Sequence, residues 1–333
     1  MRWALIGAST IASQFMCAAF RAAGHQIVTV VSGSADLAAR FAEANAIPGC
    51  TTDLAAALAD PAVDAVYISS TNEKHHAQAL AAIAAGKHVL CEKPLGLTLA
   101  EAQQMVAAAE AAGVVFATNH HLRCSGSHRA VRDLVASGRI GRVLSLRIFH
   151  AVHLPVPLQG WRINDAGAGG GVIPDITVHN ADVARFLLGE DPQTVVAQSA
   201  TSGMGQGVED SAMSVWTMPS GAMVFAHESF THPFAGSGLE VHGTEGSIFA
   251  RGVMTQRPLG EVELVSATGR AAVPFASDDL YTVAVRQFAR AVAGQGQPAA
   301  TGQDGIASLA VALAVRQAAR TGTRQTVQYG APA

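Results

Sequence analysis

The sequence predicts an α/β chain in two parts, a doubly wound parallel sheet followed by an α+β domain with a large, mostly antiparallel open sheet. Three observations carry this expectation. Through the first 120 residues, short apolar runs alternate with alanine-rich segments of helical period. Glycines stand just past those segments, where left-handed helix caps belong. Beyond residue 121 the apolar runs follow one another across turns, without helices between them.

Taken in order, residues 3–6 read as a strand and 11–23 as a helix stopped by Gly24. Residues 26–31 form a second strand, followed by helices over 35–45 and 53–59. A third strand spans 63–69, and a helix over 74–85 is closed by Gly86. A fourth strand covers 88–91, a helix 99–112 ends at Gly113, and a fifth strand covers 114–118. Strands apolar throughout belong in a parallel sheet covered on both faces, which makes this half a Rossmann-type nucleotide-binding unit. In the second half strands are expected over 143–152, 195–202, 213–218, 223–231, 238–243, 247–250 and 262–265. A glycine loop opens a helix that runs to residue 188, and helices over 279–293 and 304–321 close the chain.

The 333 residues are 49% hydrophobic and 14% charged, with 22 basic against 25 acidic side chains, a net charge of −3. That length suits two domains with separate cores, 1–120 for dinucleotide binding and 121–333 for substrate binding and catalysis. The charge balance lacks the basic footprint of a nucleic-acid binder, and the apolar fraction excludes a disordered chain. No run reaches the ~18 apolar residues that span a membrane. Cys17, Cys50, Cys91 and Cys124 show no metal-site spacing and read as reduced thiols. Ser9, Thr10, Ser13 and Gln14 interrupt the apolar start, so no secretion signal is expected and the location is cytoplasmic.

The first strand-to-helix turn reads Gly7-Ala8-Ser9-Thr10-Ile11-Ala12. A dinucleotide fingerprint needs small residues here, because backbone must approach a pyrophosphate at a helix N-terminus. Gly7 keeps the first glycine, while Ser9 and Ala12 stand at the second and third. Read alone, any tight turn favours such residues. The second strand ends in Ser32-Gly33-Ser34, without the acidic residue that holds an NAD ribose at that point. Room for a 2′-phosphate, with Arg40 one helical turn on, favours NADP; Asp36 on the ribose is the competing reading. Ser70, Thr71, Asn72, Glu73, Lys74 and His75 follow the third strand at the ligand edge of such a sheet, where Thr71 or Asn72 also suits an ordinary helix cap. Lys93, before Pro94, can donate to a substrate oxygen, although a Lys-Pro turn is commonly surface.

In the second half, Gly167-Ala168-Gly169-Gly170-Gly171 opens a helix carrying Asp175 and His179. At i and i+4 the two share a face, and a carboxylate beside an imidazole raises its basicity. A capping Asp and a half-buried His would look the same. His179 and Asp182 lack a third ligand at matching spacing, so no metal is expected. Trp161-Arg162 offers a flat surface and a cation, or merely an Arg over a core Trp. Asn119-His120-His121-Leu122-Arg123 ends the fifth strand with polar groups, or simply links the domains.

Glu92-Lys93-Pro94, Asn119-His120 and Asp175 to His179 after a glycine loop together resemble the glucose–fructose oxidoreductase / inositol dehydrogenase / rhizopine catabolism (Gfo/Idh/MocA) family. Further segments carry the likeness over the whole length: the Gly7–Ala12 turn, Leu158-Gln159-Gly160-Trp161-Arg162 and His242-Gly243-Thr244-Glu245-Gly246-Ser247. Within that family they imply NADPH-dependent reduction of a cyclic 2-keto sugar, 1,5-anhydro-D-fructose, to 1,5-anhydro-D-mannitol. The resemblance implies Lys93, Asp175 and His179 as catalytic group, converging on one sugar oxygen beside the nicotinamide. It implies cofactor contacts from Ala8, Ser9, Thr10, Ile11, Ser32, Gly33, Ser70 to His75, Glu92, Lys93, Asn119, Trp161, Arg162 and Tyr281, beside Gly7 and Arg40. Where the reductase pattern has an arginine early in the second helix, this chain has Leu37. The competing activities are NAD-dependent oxidation of a sugar or inositol and dinucleotide sensing without turnover. The resemblance leaves the chain a monomer or a homo-oligomer through the second-domain sheet.

Overall fold

The computed structural model describes residues 1–330, so the last three residues of the domain expected over 121–333 lie outside the described residues. Strand β1 (Arg2–Ile6) has Trp3, Ala4, Leu5 and Ile6 buried, leaving no face to solvent. A π-helical turn (Ala12–Met16) leads into α1 (Cys17–Ala22), followed by β2 (Gln26–Val31), α2 (Ala35–Ala44), β3 (Gly49–Thr51) and α3 (Leu54–Ala59). Then come β4 (Ala65–Ile68), α4 (Asn72–Ala84), β5 (His88–Cys91), α5 (Leu99–Ala112) and β6 (Phe116–Thr118). Among the described residues these strands form one parallel sheet in the order β3-β2-β1-β4-β5-β6. The order reverses between β1 and β4, the point where doubly wound sheets take their ligands. Helix α5 shows how local sequence sets an element: Thr98 and Glu101 form a capping box at its start, and Gly113 closes it with φ 67°.

The second unit begins with a 3₁₀ turn (His121–Cys124), α6 (Gly126–Ala136), β7 (Val143–Ala151) and the short α7 (Gly160–Asn164). A second π-helical turn (Ile173–Thr177) runs into α8 (Val178–Leu188). Strands β8 (Thr194–Ala200), β9 (Ser211–Thr217), β10 (Met223–Ser229), β11 (Ser237–Gly243), β12 (Gly246–Arg251), β13 (Glu261–Ser266) and β14 (Gly269–Ala272) follow. Helices α9 (Leu280–Val292) and α10 (Gly302–Thr321) and strand β15 (Gln325–Thr326) end the described chain. Among the described residues the second sheet runs β14-β13-β12-β11-β7-β10-β9-β8-β15, and β7–β10 is its parallel pair among antiparallel ones. Burial alternates along β9: Ala212, Ser214 and Trp216 face inward while Met213 and Val215 are exposed. One face is therefore covered and one open. Among the described residues no helix is long and apolar enough to cross a membrane.

By packing, Met1–His120 group with Tyr281–Ile306, and His121–Leu280 with the chain from Ala307 onward. The sequence reading counts 281–306 with the second half. In the structure Phe288 of α9 lies 5.2 Å from the Trp3 ring, and Tyr281 lies 5.1 Å from Phe15. Trp3 also meets Phe20 at 4.4 Å and donates from its indole to His25 Nδ1 at 3.0 Å. Burying such rings is among the largest apolar contributions a core receives. Helix α6 falls in a stretch the sequence left unassigned, because its buried positions include polar Ser127 and His128.

Candidate active site

In the first unit, the turn after β1 brings Gly7 against the end of β4. A Cβ on Gly7 would stand 2.7 Å from Ser70 N and 2.8 Å from Ser69 C, and its φ is +111°. Only glycine fits there without moving backbone. The Ser9 hydroxyl donates to Ser69 Oγ at 2.7 Å and accepts from Ala12 N at 3.2 Å, so it knits the turn. Ala8, Thr10 and Ile11 complete the turn, half-buried.

At the end of β2, Ser34 caps α2 by accepting from Leu37 N, and Ser32 Oγ accepts from Ser34 N at 3.5 Å. Gly33 is exposed, with open space beyond its α-carbon. Arg40 pairs with Asp36 at 2.7 Å across one helical turn, both side chains well exposed. The two groups proposed from sequence for opposite ribose chemistries thus hold each other. Leu37 is 41% exposed.

After β4, Ser70 Oγ donates to Gln78 Oε1 at 2.7 Å and Thr71 Oγ1 to Glu73 Oε1 at 2.7 Å. Asn72 is buried, and Glu73 pairs with Lys74 at 3.6 Å. His75 is fully buried, its Nδ1 2.8 Å from Pro94 O and its Nε2 3.1 Å from Ser70 O. It ties the turn after β4 to the cis Lys93–Pro94 segment after β5. Burial lowers its proton affinity, while the two carbonyls and the carboxylates of Glu92 and Glu73 oppose that. Glu92 Oε1 accepts from Tyr67 Oη and from Asn119 Nδ2, each at 2.6 Å. Tyr281 is fully buried in this unit's core.

Two features of this unit suit a dinucleotide. The Gly7 cradle lets backbone approach closely, and Asn119 Oδ1 is a buried acceptor with no hydrogen-bond partner among the described residues. A carboxamide donor, such as that of nicotinamide, is what such an acceptor at a strand's carboxyl end calls for.

In the second unit, Gly170 and Gly171 fold the loop before the helix onto α7. Gly170 N donates to Asp165 O and Gly171 N to Arg162 O, each at 2.8 Å. A Cβ on Gly170 would stand 2.5 Å from Trp161 O, and one on Gly171 2.5 Å from the Glu209 carboxylate. Glu209 Oε1 accepts from Ile173 N at the helix start, and burial raises its pKa. Arg162 lies 4.6 Å over the Trp161 ring, reaches Asp175 at 3.5 Å and donates to Leu158 O at 3.3 Å. The structure therefore joins Trp161, Arg162 and Asp175. Asp175 lies inside the π-helical turn, which widens the spacing along that stretch before His179 follows in α8.

His179 is buried at 7% exposure in a cluster of histidines: the His121 ring is 5.2 Å away edge-on and His150 is 6.1 Å away. His128, fully buried beside His150, has its pKa pushed down to about 3, mainly by burial. Asp182 is held by Arg123 through contacts of 2.9, 2.9 and 2.7 Å. Among the described residues no group of His, Cys, Asp and Glu is arranged to hold a metal. Sequence reasoning missed Glu228, which lies buried under this helix. The signal was its parity: Val224, Ala226 and Glu228 share the inward face of β10.

Residues 1–120 match the family described as oxidoreductases with an NAD-binding Rossmann fold, and 128–249 the GFO/IDH/MocA C-terminal domain. The chain is 52% identical over 330 residues to a 1,5-anhydro-D-fructose reductase of Ensifer adhaerens, covering 99% of each. It is 30% identical to a myo-inositol 2-dehydrogenase of Thermotoga maritima over 78% of each. Its fold superposes on the crystal structure of an aldose-aldose oxidoreductase from Caulobacter crescentus complexed with glycerol, with a TM-score of 0.90, 26% identity and 98% and 99% coverage.

Proposed function

We infer the activity from one premise: this chain belongs to the GFO/IDH/MocA oxidoreductase family. It reduces the 2-keto group of 1,5-anhydro-D-fructose to the alcohol of 1,5-anhydro-D-mannitol, with NADPH as reductant. The observation that carries this reading is the 52% identity, end to end, to a reductase of that sugar. When bound, NADPH supplies the hydride. The turn from Gly7 to Ile11, with Ser32 and Gly33, holds the dinucleotide's phosphates and ribose, and Asn119 takes the carboxamide. Ser70, Thr71, Asn72, Glu73 and Lys74 border it, with Trp161 and Arg162 lending a flat surface and a cation. Glu92 keeps Asn119 in place through its bond at 2.6 Å. Its neighbour Lys93 donates a hydrogen bond to the ketone oxygen and offsets the charge that builds there. His179 gives that oxygen its proton, and Asp175, anchored by Arg162, sets the local field. We place this reaction in the cytoplasm, in keeping with four free cysteines.

A second reading of the cofactor rests on one contact: Arg40 is occupied by Asp36, and Leu37 offers no charge to a 2′-phosphate. That arrangement favours NADH. Dinucleotide oxidation by purified protein with 1,5-anhydro-D-fructose, compared between NADPH and NADH and against inositols and other keto sugars, tests both. The expected result is NADPH oxidation with the anhydro sugar above all others. His179→Ala and Lys93→Ala should each lower turnover roughly 10²–10⁴-fold. Near-parental turnover in His179→Ala ends its assignment as proton donor.

A further inference from the structure

Strand β10 carries a carboxylic acid where a side chain of that strand's inward row should be apolar. Glu228 is fully buried, and the inward row before it is Val224 and Ala226. It lies beneath the helix that bears Asp175 and His179, and Asn180 Nδ2 donates to its Oε1 at 3.0 Å. The Thr177 hydroxyl, one turn back on the same stretch, also acts on this carboxyl group. Across the parallel β7–β10 pair its register partner is His150. Neighbouring strands stand about 4.8 Å apart and paired residues share a face. The His150 ring in turn lies 6.1 Å from that of His179.

We propose that Glu228 is a positioning residue for the active-site helix, acting on its seat through Asn180 and on His150 and His179 through its charge. This rests on the reading of His179 as proton donor. A carboxylate in a dry core with only a neutral amide and a hydroxyl beside it is costly, and protonation removes that cost. Burial raises the Glu228 pKa to about 7, against the opposing pull of Asn180 and Thr177. The acid therefore changes charge in the same range as a histidine. The groups that face it are Thr177 and Asn180 from the helix, His150 from β7 and, behind His150, His128 from α6. From β9 its register partner is Ala212, which carries no charge. Ionised, Glu228 favours protonated His150 and His179; neutral, it leaves them less basic.

The test is histidine NMR titration of the whole protein beside the pH profile of kcat/KM. In the unmodified protein, the ring C–H signals of His150 and His179 should show a second inflection as Glu228 titrates. In Glu228→Gln, which keeps an amide partner for Asn180, that inflection vanishes, and both rings titrate lower by about one pH unit. The falling limb of kcat/KM, where the acid is lost, moves down with them. Asn180→Ala leaves the charge and should keep the inflection while lowering kcat. Single-inflection titrations of both rings in the unmodified protein overturn the proposal, as does a Glu228→Gln profile that coincides with the parent's. Activity that survives His179→Ala refutes the proton-donor reading alone, since the ring titration of His150 is read without turnover.

Discussion

Removing Asp182 is the perturbation whose cost the structure defines best. Its side chain is 1% exposed and that of Arg123 11%, with three N···O contacts of 2.9, 2.9 and 2.7 Å between them. The Arg123 guanidinium also lies 5.5 Å from the Phe186 ring, so truncating the acid leaves a largely buried cation without its carboxylate. Breaking such a buried pair from one side costs about 3–5 kcal/mol, because an uncompensated charge stays behind. For a unit of this size that is a fall in Tm of roughly 6–20 °C. Replacing both partners with apolar residues of similar volume is often neutral. Thermal unfolding of Asp182→Leu, Arg123→Met and the double variant forms a double-mutant cycle. The single variants should lose several degrees, and the double variant should recover most of the loss. A loss in Asp182→Leu below about 1 kcal/mol, the range of exposed pairs, refutes the reasoning. Divalent cations should leave the parent's Tm unchanged, since Asp182 is engaged by Arg123.

Two further outcomes follow from the same geometry. Gly7→Ala places a Cβ within 2.8 Å of the Ser69–Ser70 backbone at φ +111°. A strain of roughly 1–3 kcal/mol follows, and NADPH binding, measured by fluorescence titration, should weaken ~10-fold or more, in line with ~1.4 kcal/mol per decade. Stability should also report Glu228. Its pKa is raised from 4.5 to about 7, so the folded chain keeps a proton that the unfolded chain releases. That contribution is complete below pH 4.5 and is lost as pH rises to about 7. Glu228→Gln should therefore gain on the parent as pH rises between those limits and keep that gain above them, read as a larger difference in urea midpoints at pH 8 than at pH 5.

Much of this molecule is written in short-range pattern. The parallel sheet is legible because its strands are apolar on both faces, and the helices between them carry their own stops, as Gly113 does for α5. Strand β3 escaped notice because Gly49-Cys50-Thr51 is three residues long and only partly apolar. Of the candidate site, Gly7, Glu92 and Asn119 stand out by residue type at the ends of predicted strands, and the Trp161-Arg162 pair by its place just before the glycine loop.

Their use, however, depends on partners far away in the chain. Arg162 meets Asp175, Arg123 meets Asp182, and Asn180 meets Glu228. No period of 2 or 3.6 encodes a contact between residues 48 positions apart. The bond from the Ser9 hydroxyl to Ser69 Oγ joins residues 60 positions apart, which no local pattern announces. Periodicity and composition decide which backbone groups bond locally, because those bonds close within a few residues. Which side chains end up buried together, and so which acids lose their solvent, is settled only when the sheets and helices pack.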